Sequence, residues 1–323
     1  MKLRTPLEIP PAAAQITYGQ RLLALGSCFA GRMGERLAAS KLDILVNPLG
    51  IGYNPLSLVR LLRMVIDEDL PQPQWADHLE AWCSFDLHSQ FNHYYRREFE
   101  QEVKLAFTRT QRYLERLDWL LITFGTAWVY YHPSHPAPVN NNHRFPQREF
   151  RLELTPVAAI VDRWQALIEY LRQVRPELQV IFTVSPIRHT RHTLPGNSVS
   201  KATLRLACHH LEQLEGVSYF PAFEIMIDDL RDYRFYSDDF LHPSELAEAY
   251  IWDKFAQTYL APETRQLMQD LESVHRDLNH RPRQANSEAY RRFLQQLQYK
   301  IEALAAKGLD LNAERERLVE QGS

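Results

Sequence analysis

Short apolar runs alternate with longer amphipathic stretches along the first 260 residues. Five of the runs are candidate strands: 22–25, 44–46, 120–124, 180–184 and 217–220. The run at 120–124 has no polar–apolar alternation, as is typical of a strand that is buried on both faces. The stretches that follow the runs predict helices, near residues 31–40, 55–66, 98–116, 156–175, 198–215 and 243–259. This βαβ succession predicts an α/β fold with a doubly wound, mainly parallel sheet of about five strands.

Three regions depart from this pattern. Residues 67–97 are rich in aromatic side chains without a clear period, and we expect an insertion or a lid there. Residues 127–155 contain several prolines and an asparagine run, which predicts a long loop with a short hairpin. After about residue 260 the composition shifts to Gln, Arg, Glu and Leu, with helices predicted at 287–304 and 312–321. We therefore expect a catalytic domain over 1–260, and a helical extension over 261–323 that packs on it or mediates self-association.

Composition excludes several classes of function. The chain has 323 residues, is 45% hydrophobic and carries a net charge of −3, which gives no electrostatic case for a nucleic-acid partner. Its three cysteines form no CxxC pair and predict neither a disulfide framework nor a zinc site. The histidines lack metal-ligand spacing, and no cofactor motif is present, so we expect no metal and no cofactor. The sequence shows no signal peptide and no apolar run of membrane-spanning length, which favours a cytoplasmic protein without a membrane partner.

Polar or glycine-bearing segments follow four of the predicted strands, at 26–28, 47–52, 125–126 and 185–189. Sites in doubly wound sheets form beyond the carboxyl ends of the strands, so Asn47 and Gly125 are candidate substrate-binding residues. Arg188 and His189 follow the fourth strand and could bind an anionic group, although such residues often form loop salt bridges instead. Lys201, at the start of a predicted helix, has the same two interpretations.

Two segments carry the chemistry expected at this edge. Ser27 and Cys28 lie in a turn between the first strand and a helix, where the helix N-terminus favours a thiolate or a developing oxyanion. Far downstream, Asp239 stands three residues before His242, a spacing that lets a carboxylate orient an imidazole as general base. Asp238 is an alternative partner for His242, although its spacing to the histidine is one residue longer. A helix N-cap explains the Asp239 pattern equally well, and a buried core thiol explains Cys28.

The ordered motifs resemble those of the GSCFA-domain proteins over about residues 20–260. The matching segments include Gly26–Ala30, Val46–Pro55, Phe124–Tyr130, Asn141–Arg144, Thr183–His189, Ser200–Leu204, Asp232–Tyr236, Asp239–Ser244 and Tyr250–Trp252. This family is similar to a branch of the SGNH (GDSL-type) hydrolases. The resemblance implies a flavodoxin-like three-layer α/β/α sandwich and ester or acyl chemistry.

The resemblance also implies roles at the turn and the following loops. The nucleophile position of GDSL-type enzymes maps onto Cys28, and a shift of one residue would make it Ser27. The oxyanion hole would use the nucleophile's own N–H and that of Gly52 or Gly50. The asparagine of the superfamily's Gly-x-Asn motif is missing here, because Thr126 follows Gly125 and Ala127 takes the third place. Thr126 or Asn141 could supply the absent donor.

The leading hypothesis is an SGNH-like esterase, thioesterase or acyltransferase. Cys28 or Ser27 would attack the acyl carbonyl, His242 would move the proton, and Asp239 would hold the imidazole. An O-acylated carbohydrate or another small acyl ester is the substrate class expected by analogy with the superfamily. The alternative is a non-catalytic binding or scaffolding module that retains the fold. A third hypothesis is a sensor of an anionic metabolite that uses the Arg/His cluster 188–192.

Overall fold

A five-stranded parallel sheet forms the centre of the protein in the computed structural model, which describes residues 5–280 and 287–322. The strands are β1 (Arg21–Gly26), β2 (Asp43–Val46), β3 (Gln74–Ala76), β4 (Ala81–Cys83), β5 (Trp119–Phe124), β6 (Trp128–Tyr131), β7 (Arg151–Leu154), β8 (Gln179–Val184) and β9 (Val217–Phe220). The central sheet has the order β2-β1-β5-β8-β9, and all neighbouring strands are parallel. This is the 2-1-3-4-5 order of flavodoxin-like folds, so the predicted fold class is confirmed.

Helices cover both faces of the sheet and make three layers. They are α1 (Cys28–Ala39), α2 (Pro55–Ile66), α3 (Arg96–Leu114), α4 (Val157–Val174), α5 (Thr193–Leu211), α6 (Ala222–Glu224), α7 (Glu245–Tyr259), α8 (Pro262–Leu278), α9 (Glu288–Ala305) and α10 (Asn312–Gly322). Leu23 and Leu25 of β1 pack into the core formed with α2, α3, α4 and α5. Leu22 and Ala24 face the opposite way, into the core formed with α1 and α7. Alternate side chains of β1 therefore pack into the two cores, because helices cover both faces of the strand.

The predicted elements agree with the observed ones where the periodicity is strong. All five predicted strands are present, and α2 has the predicted bounds Pro55–Ile66. Helix α1 begins at Cys28, three residues before its predicted start at 31. The reason is that Ser27 adopts the extended conformation of an N-cap directly after β1, so no loop residues separate the strand from the helix.

Each of the two insertions contains a two-stranded antiparallel sheet. Strands β3 and β4 pair within the 67–97 segment, where Trp75 and Trp82 meet edge to face with ring centroids 5.7 Å apart. Strands β6 and β7 pair within the 127–155 segment. The buried ring of His143 connects the insertions, because its Nε2 lies 2.7 Å from the carbonyl oxygen of Ser84 and 3.1 Å from that of Leu87. Hydrogen bonding thus fixes the tip of the second insertion against the first.

The C-terminal helices have a small core of their own. Helix α8 is not among the predicted helices, whereas α9 and α10 lie where the sequence predicts helices. Apolar side chains at helical spacing fill this core, among them Leu271, Val274 and Ile301. The buried carboxylate of Glu314 joins the extension to the α/β layers, since it contacts Lys41 Nζ at 3.1 Å.

Candidate active site

The turn after β1 requires glycine. Gly26 has a φ of +141°, and a Cβ at this position would overlap the main-chain carbonyl of Thr123 on the neighbouring strand. Its N–H donates to Oδ1 of Asn47 at 2.9 Å, which fixes the turn to the loop after β2. Asn47 is therefore part of the framework that shapes the turn. The close approach of β1 and β5 at this point brings Ser27 and Cys28 to the carboxyl edge of the sheet.

Ser27 and Cys28 differ in their access to a substrate. Ser27 is 1% exposed, and its buried Oγ has no hydrogen-bond partner among the described residues. Cys28 is the first residue of α1 and is partly exposed. Burial raises the pKa of the Cys28 thiol above its usual value, although the N–H of Phe29 and the charge of Arg32 act in the opposite direction. Desolvation thus outweighs the expected effect of the helix N-terminus, so the thiol needs a base to ionise near neutral pH.

Asp239 and His242 form the expected pair. Oδ1 of Asp239 accepts the main-chain N–H groups of Leu241 at 2.9 Å and His242 at 3.0 Å, while Oδ2 lies 2.5 Å from Nδ1 of His242. Hydrogen bonds from the His242 N–H, the Leu241 N–H and the His242 ring lower the pKa of Asp239 to about 2. An ionised carboxylate can only accept, so Nδ1 carries the proton and Nε2 of the neutral ring presents a lone pair. Among the described residues, Asp238 forms no hydrogen bond with the His242 imidazole.

His242 does not contact either candidate nucleophile. Its side chain is 50% exposed, and no hydrogen bond joins its Nε2 to Cys28 or Ser27 within the described residues. The charges of His242 and Lys201 both act on His189, and the charge of Cys28 acts on Lys201. These groups therefore share one electrostatic neighbourhood at the sheet edge without forming a closed hydrogen-bonded triad.

Lys201 lies beneath this edge and not on its surface. It is 1% exposed, and its Nζ donates to the carbonyl oxygens of Gly125 at 2.9 Å and Ser185 at 2.7 Å. Burial lowers the pKa of Lys201 to about 7, while the charge of Cys28 acts to raise it. A substrate cannot reach Lys201 or the carbonyl of Gly125 in this arrangement. The amino group instead connects the ends of β5 and β8 and interacts electrostatically with Cys28.

Arg188 and His189 also have defined contacts. Arg188 Nη2 donates to the carbonyl oxygen of Phe240 at 2.6 Å, and its guanidinium lies 4.5 Å from the ring centre of Tyr236. Arg188 therefore braces the loop that carries Asp239 and His242. Burial and the charge of Lys201 lower the pKa of His189 to about 4, so its ring is neutral at pH 7.

The proposed oxyanion donors are mostly engaged. The N–H of Gly52 donates to the carbonyl oxygen of Gly26 at 3.1 Å, and that of Gly50 donates to the carbonyl of Asn47 at 2.9 Å. The Oγ1 of Thr126 pairs with Ser200 Oγ at 3.1 Å. Asn141 accepts the N–H of His143 through Oδ1 at 2.9 Å. This arrangement presents neither glycine N–H to a ligand, because each already closes the loop that shapes the turn.

A cleft of about 410 Å³ adjoins these residues. Tyr53 and His189 line it and meet edge to face at 5.5 Å, and the charge of Cys28 acts on Tyr53. Trp128 and His192 form another part of the wall, with ring centroids 5.5 Å apart. Tyr53 and Trp128 were not predicted as site residues, whereas His192 belongs to the 188–192 cluster that was. Position after a strand marks a segment but does not show which side chains face a cleft.

The GSCFA family model matches residues 21–255, and a model described as the C-terminal domain of GSCFA domain proteins matches 271–321. The chain belongs to the GSCFA family. No curated protein sequence matches this GSCFA protein. Within the described residues, no helix is long and apolar enough to span a membrane, and no group of three or more His, Cys, Asp or Glu side chains could hold a metal ion.

Solved structures similar to this GSCFA protein include esterases. A carbohydrate esterase family 3 protein from Talaromyces cellulolyticus is 11% identical with a TM-score of 0.36, and the match covers 78% of this chain and 99% of that one. A putative GDSL-like lipase from Parabacteroides merdae is 13% identical with a TM-score of 0.38, with coverage of 77% and 98%. Likeness of this degree carries no argument about activity.

Proposed function

We propose that this GSCFA protein is an SGNH-like esterase, thioesterase or acyltransferase, with Cys28 as nucleophile, His242 as general base and Asp239 as the residue that orients the imidazole. The observation that carries the proposal is the state of the Asp239–His242 pair. A carboxylate whose pKa is about 2 holds Nδ1 of His242, so the Nε2 lone pair is exposed at the sheet edge that carries Cys28. A base held in one tautomer, at the same sheet edge as a thiol, supplies two of the groups that nucleophilic catalysis needs.

Exposure favours Cys28 over Ser27 as the nucleophile. An acyl carbonyl can approach the partly exposed sulfur, whereas the 1% exposed Ser27 is enclosed between β1 and α1. Ser27 remains the second candidate, and it would require the turn to open.

The reaction would proceed through an acyl-enzyme. Nε2 of His242 takes the thiol proton after its loop moves within hydrogen-bond reach of Cys28, and the sulfur attacks the acyl carbon. The main-chain N–H groups of Cys28 and Phe29, which belong to the first turn of α1, are the best-placed donors for the oxyanion. The tetrahedral intermediate expels an alcohol or thiol, which receives the proton from His242. Water or an acceptor then takes the acyl group by the reverse sequence.

The substrate class we propose is an acyl ester, with O-acylated carbohydrates first. This choice rests on the resemblance to SGNH hydrolases and on a cleft of about 410 Å³, whose lining residue Tyr53 interacts electrostatically with Cys28. If water attacks the thioester, the reaction is hydrolysis; if a second substrate attacks it, the reaction is acyl transfer.

Covalent labelling tests the nucleophile and the base together. The native protein is treated with 4-nitrophenyl acetate and analysed by intact and peptide mass spectrometry, beside Cys28→Ala, Ser27→Ala and His242→Ala. His210→Ala is the matched control, because His210 is an exposed histidine on α5. We expect rapid acetylation of Cys28 that His242→Ala slows and His210→Ala does not. Labelling that is equal in wild type and His242→Ala, with both folded, would contradict the assignment of the base.

The second candidate function is a binding module without catalysis. Two observations favour it: the N–H groups of Gly52 and Gly50 are donated within the protein, and no hydrogen bond joins His242 to Cys28. The labelling experiment separates the two functions. If Cys28 in the native protein reacts no faster than in a urea-denatured sample, the binding module is the better description.

A further inference from the structure

The cleft lined by Tyr53, Trp128 and His189 has only arginines as charged lining residues in the described part of the chain. Its lining includes the guanidinium groups of Arg144 and Arg191 and several imidazoles, and no aspartate or glutamate belongs to that lining. Among the residues that the structure describes, neither arginine forms an ion pair with a carboxylate. Arg191 instead lies over the ring of Tyr130, with 5.4 Å between the guanidinium carbon and the ring centre. Cationic groups without acidic partners in a concave site attract anions.

Arg144 has an uncommon backbone conformation, and so does Thr193 near Arg191. Arg144 and the preceding His143 have φ values of +59° and +46°, and Thr193, two residues after Arg191, has a φ of +66°. Non-glycine residues in this region cost energy and persist only where surrounding contacts fix them. The buried ring of His143 provides such contacts through two main-chain carbonyls, so Arg144 sits on an anchored turn.

The cleft wall also carries an unused donor. Nδ2 of Asn142 is buried and has no hydrogen-bond partner in the described part of the chain. A buried donor without an acceptor is uncommon in folded proteins, and one explanation is a ligand that supplies the acceptor. An oxygen-rich anion in the cleft would satisfy this amide and pair with the arginines.

We infer that this cleft binds a carboxylate or phosphate group carried by the substrate, with Arg144 and Arg191 as its cationic partners and Asn142 as an additional donor. The acyl ester processed at Cys28 would then be anionic. The claim about the ester rests on the proposed function, whereas anion binding stands on the cleft alone. This anion site differs from the sensor hypothesis, which used residues 188–192 alone, because Arg144 belongs to the 127–155 insertion.

Direct binding tests the anion site without catalysis. The binding of inorganic phosphate, succinate and a neutral control, glycerol, is measured by calorimetry and by thermal shift on the full chain. The variants are Arg144→Gln, Arg191→Gln and the matched control Arg148→Gln, an exposed arginine of the same insertion that does not line the cleft. We expect wild type to bind at least one anion, and each cleft variant to bind it about tenfold to a hundredfold more weakly, as for a lost charged hydrogen bond. Binding of phosphate indicates a site for phosphate groups, and binding of succinate indicates a site for carboxylates.

Two binding outcomes would overturn the inference. One is no binding of either anion to wild type, and the other is a loss of affinity in Arg148→Gln equal to that in the cleft variants.

Turnover then tests the link to the ester. The ratio of kcat/KM for mono-4-nitrophenyl succinate to that for 4-nitrophenyl acetate should fall in Arg191→Gln and stay constant in Arg148→Gln. An unchanged ratio in Arg191→Gln would refute the claim about the substrate. If neither ester is turned over while anion binding depends on the arginines, the proposed function fails and the anion site stands.

Discussion

Replacing Lys201 with methionine tests the electrostatics beneath the site. Lys201 is buried, donates to the carbonyl oxygens of Gly125 and Ser185, and has a pKa lowered by burial from 10.5 to about 7. Methionine has a similar length and no charge. The variant Lys201→Met therefore removes one titrating group and two hydrogen bonds while it keeps most of the packing.

The expected magnitude follows from proton linkage. Between pH 7 and 10 the unfolded chain holds a proton on Lys201 that the folded chain has lost. The free energy of unfolding of the wild type therefore rises with pH from this group, by up to about 1.4 kcal/mol per pH unit. The full difference between 10.5 and about 7 corresponds to roughly 5 kcal/mol. Lys201→Met lacks this slope, and leaving two carbonyls without donors lowers its stability by about 1–3 kcal/mol each at every pH.

Urea denaturation at pH 7.0, 8.0 and 9.0 separates the two effects. The free energy of unfolding of wild type minus that of Lys201→Met should increase by roughly 2–3 kcal/mol from pH 7 to 9. Titrations of groups that Lys201 does not act on cancel in the difference, whereas that of Cys28 does not, because its charge interacts with Lys201. Lys104→Met, on the exposed face of α3, should give a difference that is flat with pH. A flat difference for Lys201→Met would refute the lowered pKa of Lys201.

Two further predictions concern the framework. Gly26→Ala should destabilise the protein far more than Gly19→Ala in urea unfolding, because a Cβ at Gly26 would overlap the Thr123 carbonyl. A Cβ at Gly19 contacts nothing, so that variant loses only the ~1–2 kcal/mol that a left-handed backbone costs a non-glycine residue. Equal losses of stability in the two variants would contradict the close approach of β1 and β5. Hydrogen bonds from His275 and Lys41 lower the pKa of Glu314 despite its burial, so its stabilisation is present above the unfolded pKa near 4.5 and is lost as pH falls through the folded value. Glu314→Gln should therefore be less stable than wild type at pH 7 and approach it below pH 4 in unfolding assays, unlike exposed Glu316→Gln.

Local pattern in the sequence determined the central sheet. The strands β1, β5 and β8 are almost wholly buried, and apolar runs predict them because a strand covered on both faces is apolar along its length. The edge strands β2 and β9 are only partly buried. The turn at Gly26 follows from the strand–helix junction. The polar segments that follow the strands located the candidate site, because the carboxyl ends of parallel strands meet at one edge of the sheet. The strand–turn–helix order indicated Ser27 and Cys28, and spacing indicated the pairing of Asp239 with His242; the resemblance to GSCFA proteins added the mapping of the nucleophile onto Cys28.

Elements that depend on distant partners were not predictable in this way. Strands β3 and β4 have three residues each and are held by pairing with each other, so no local period marks them. Helix α8 does carry an apolar spacing, at Met268, Leu271 and Val274, but it lies in a polar stretch whose burial depends on α9 and α10.

Tertiary structure decided what each site residue can do. The sequence places Ser27 and Cys28 side by side, but the packing of β1 against β5 buries the hydroxyl and leaves the sulfur accessible. The sequence predicts Lys201 at a helix start, but α5 begins at Thr193, so Lys201 lies in mid-helix, where it is buried and donates to two strand-end carbonyls. Solvent access, desolvation and hydrogen-bond partners depend on which groups pack above a residue, and distant parts of the chain supply those groups.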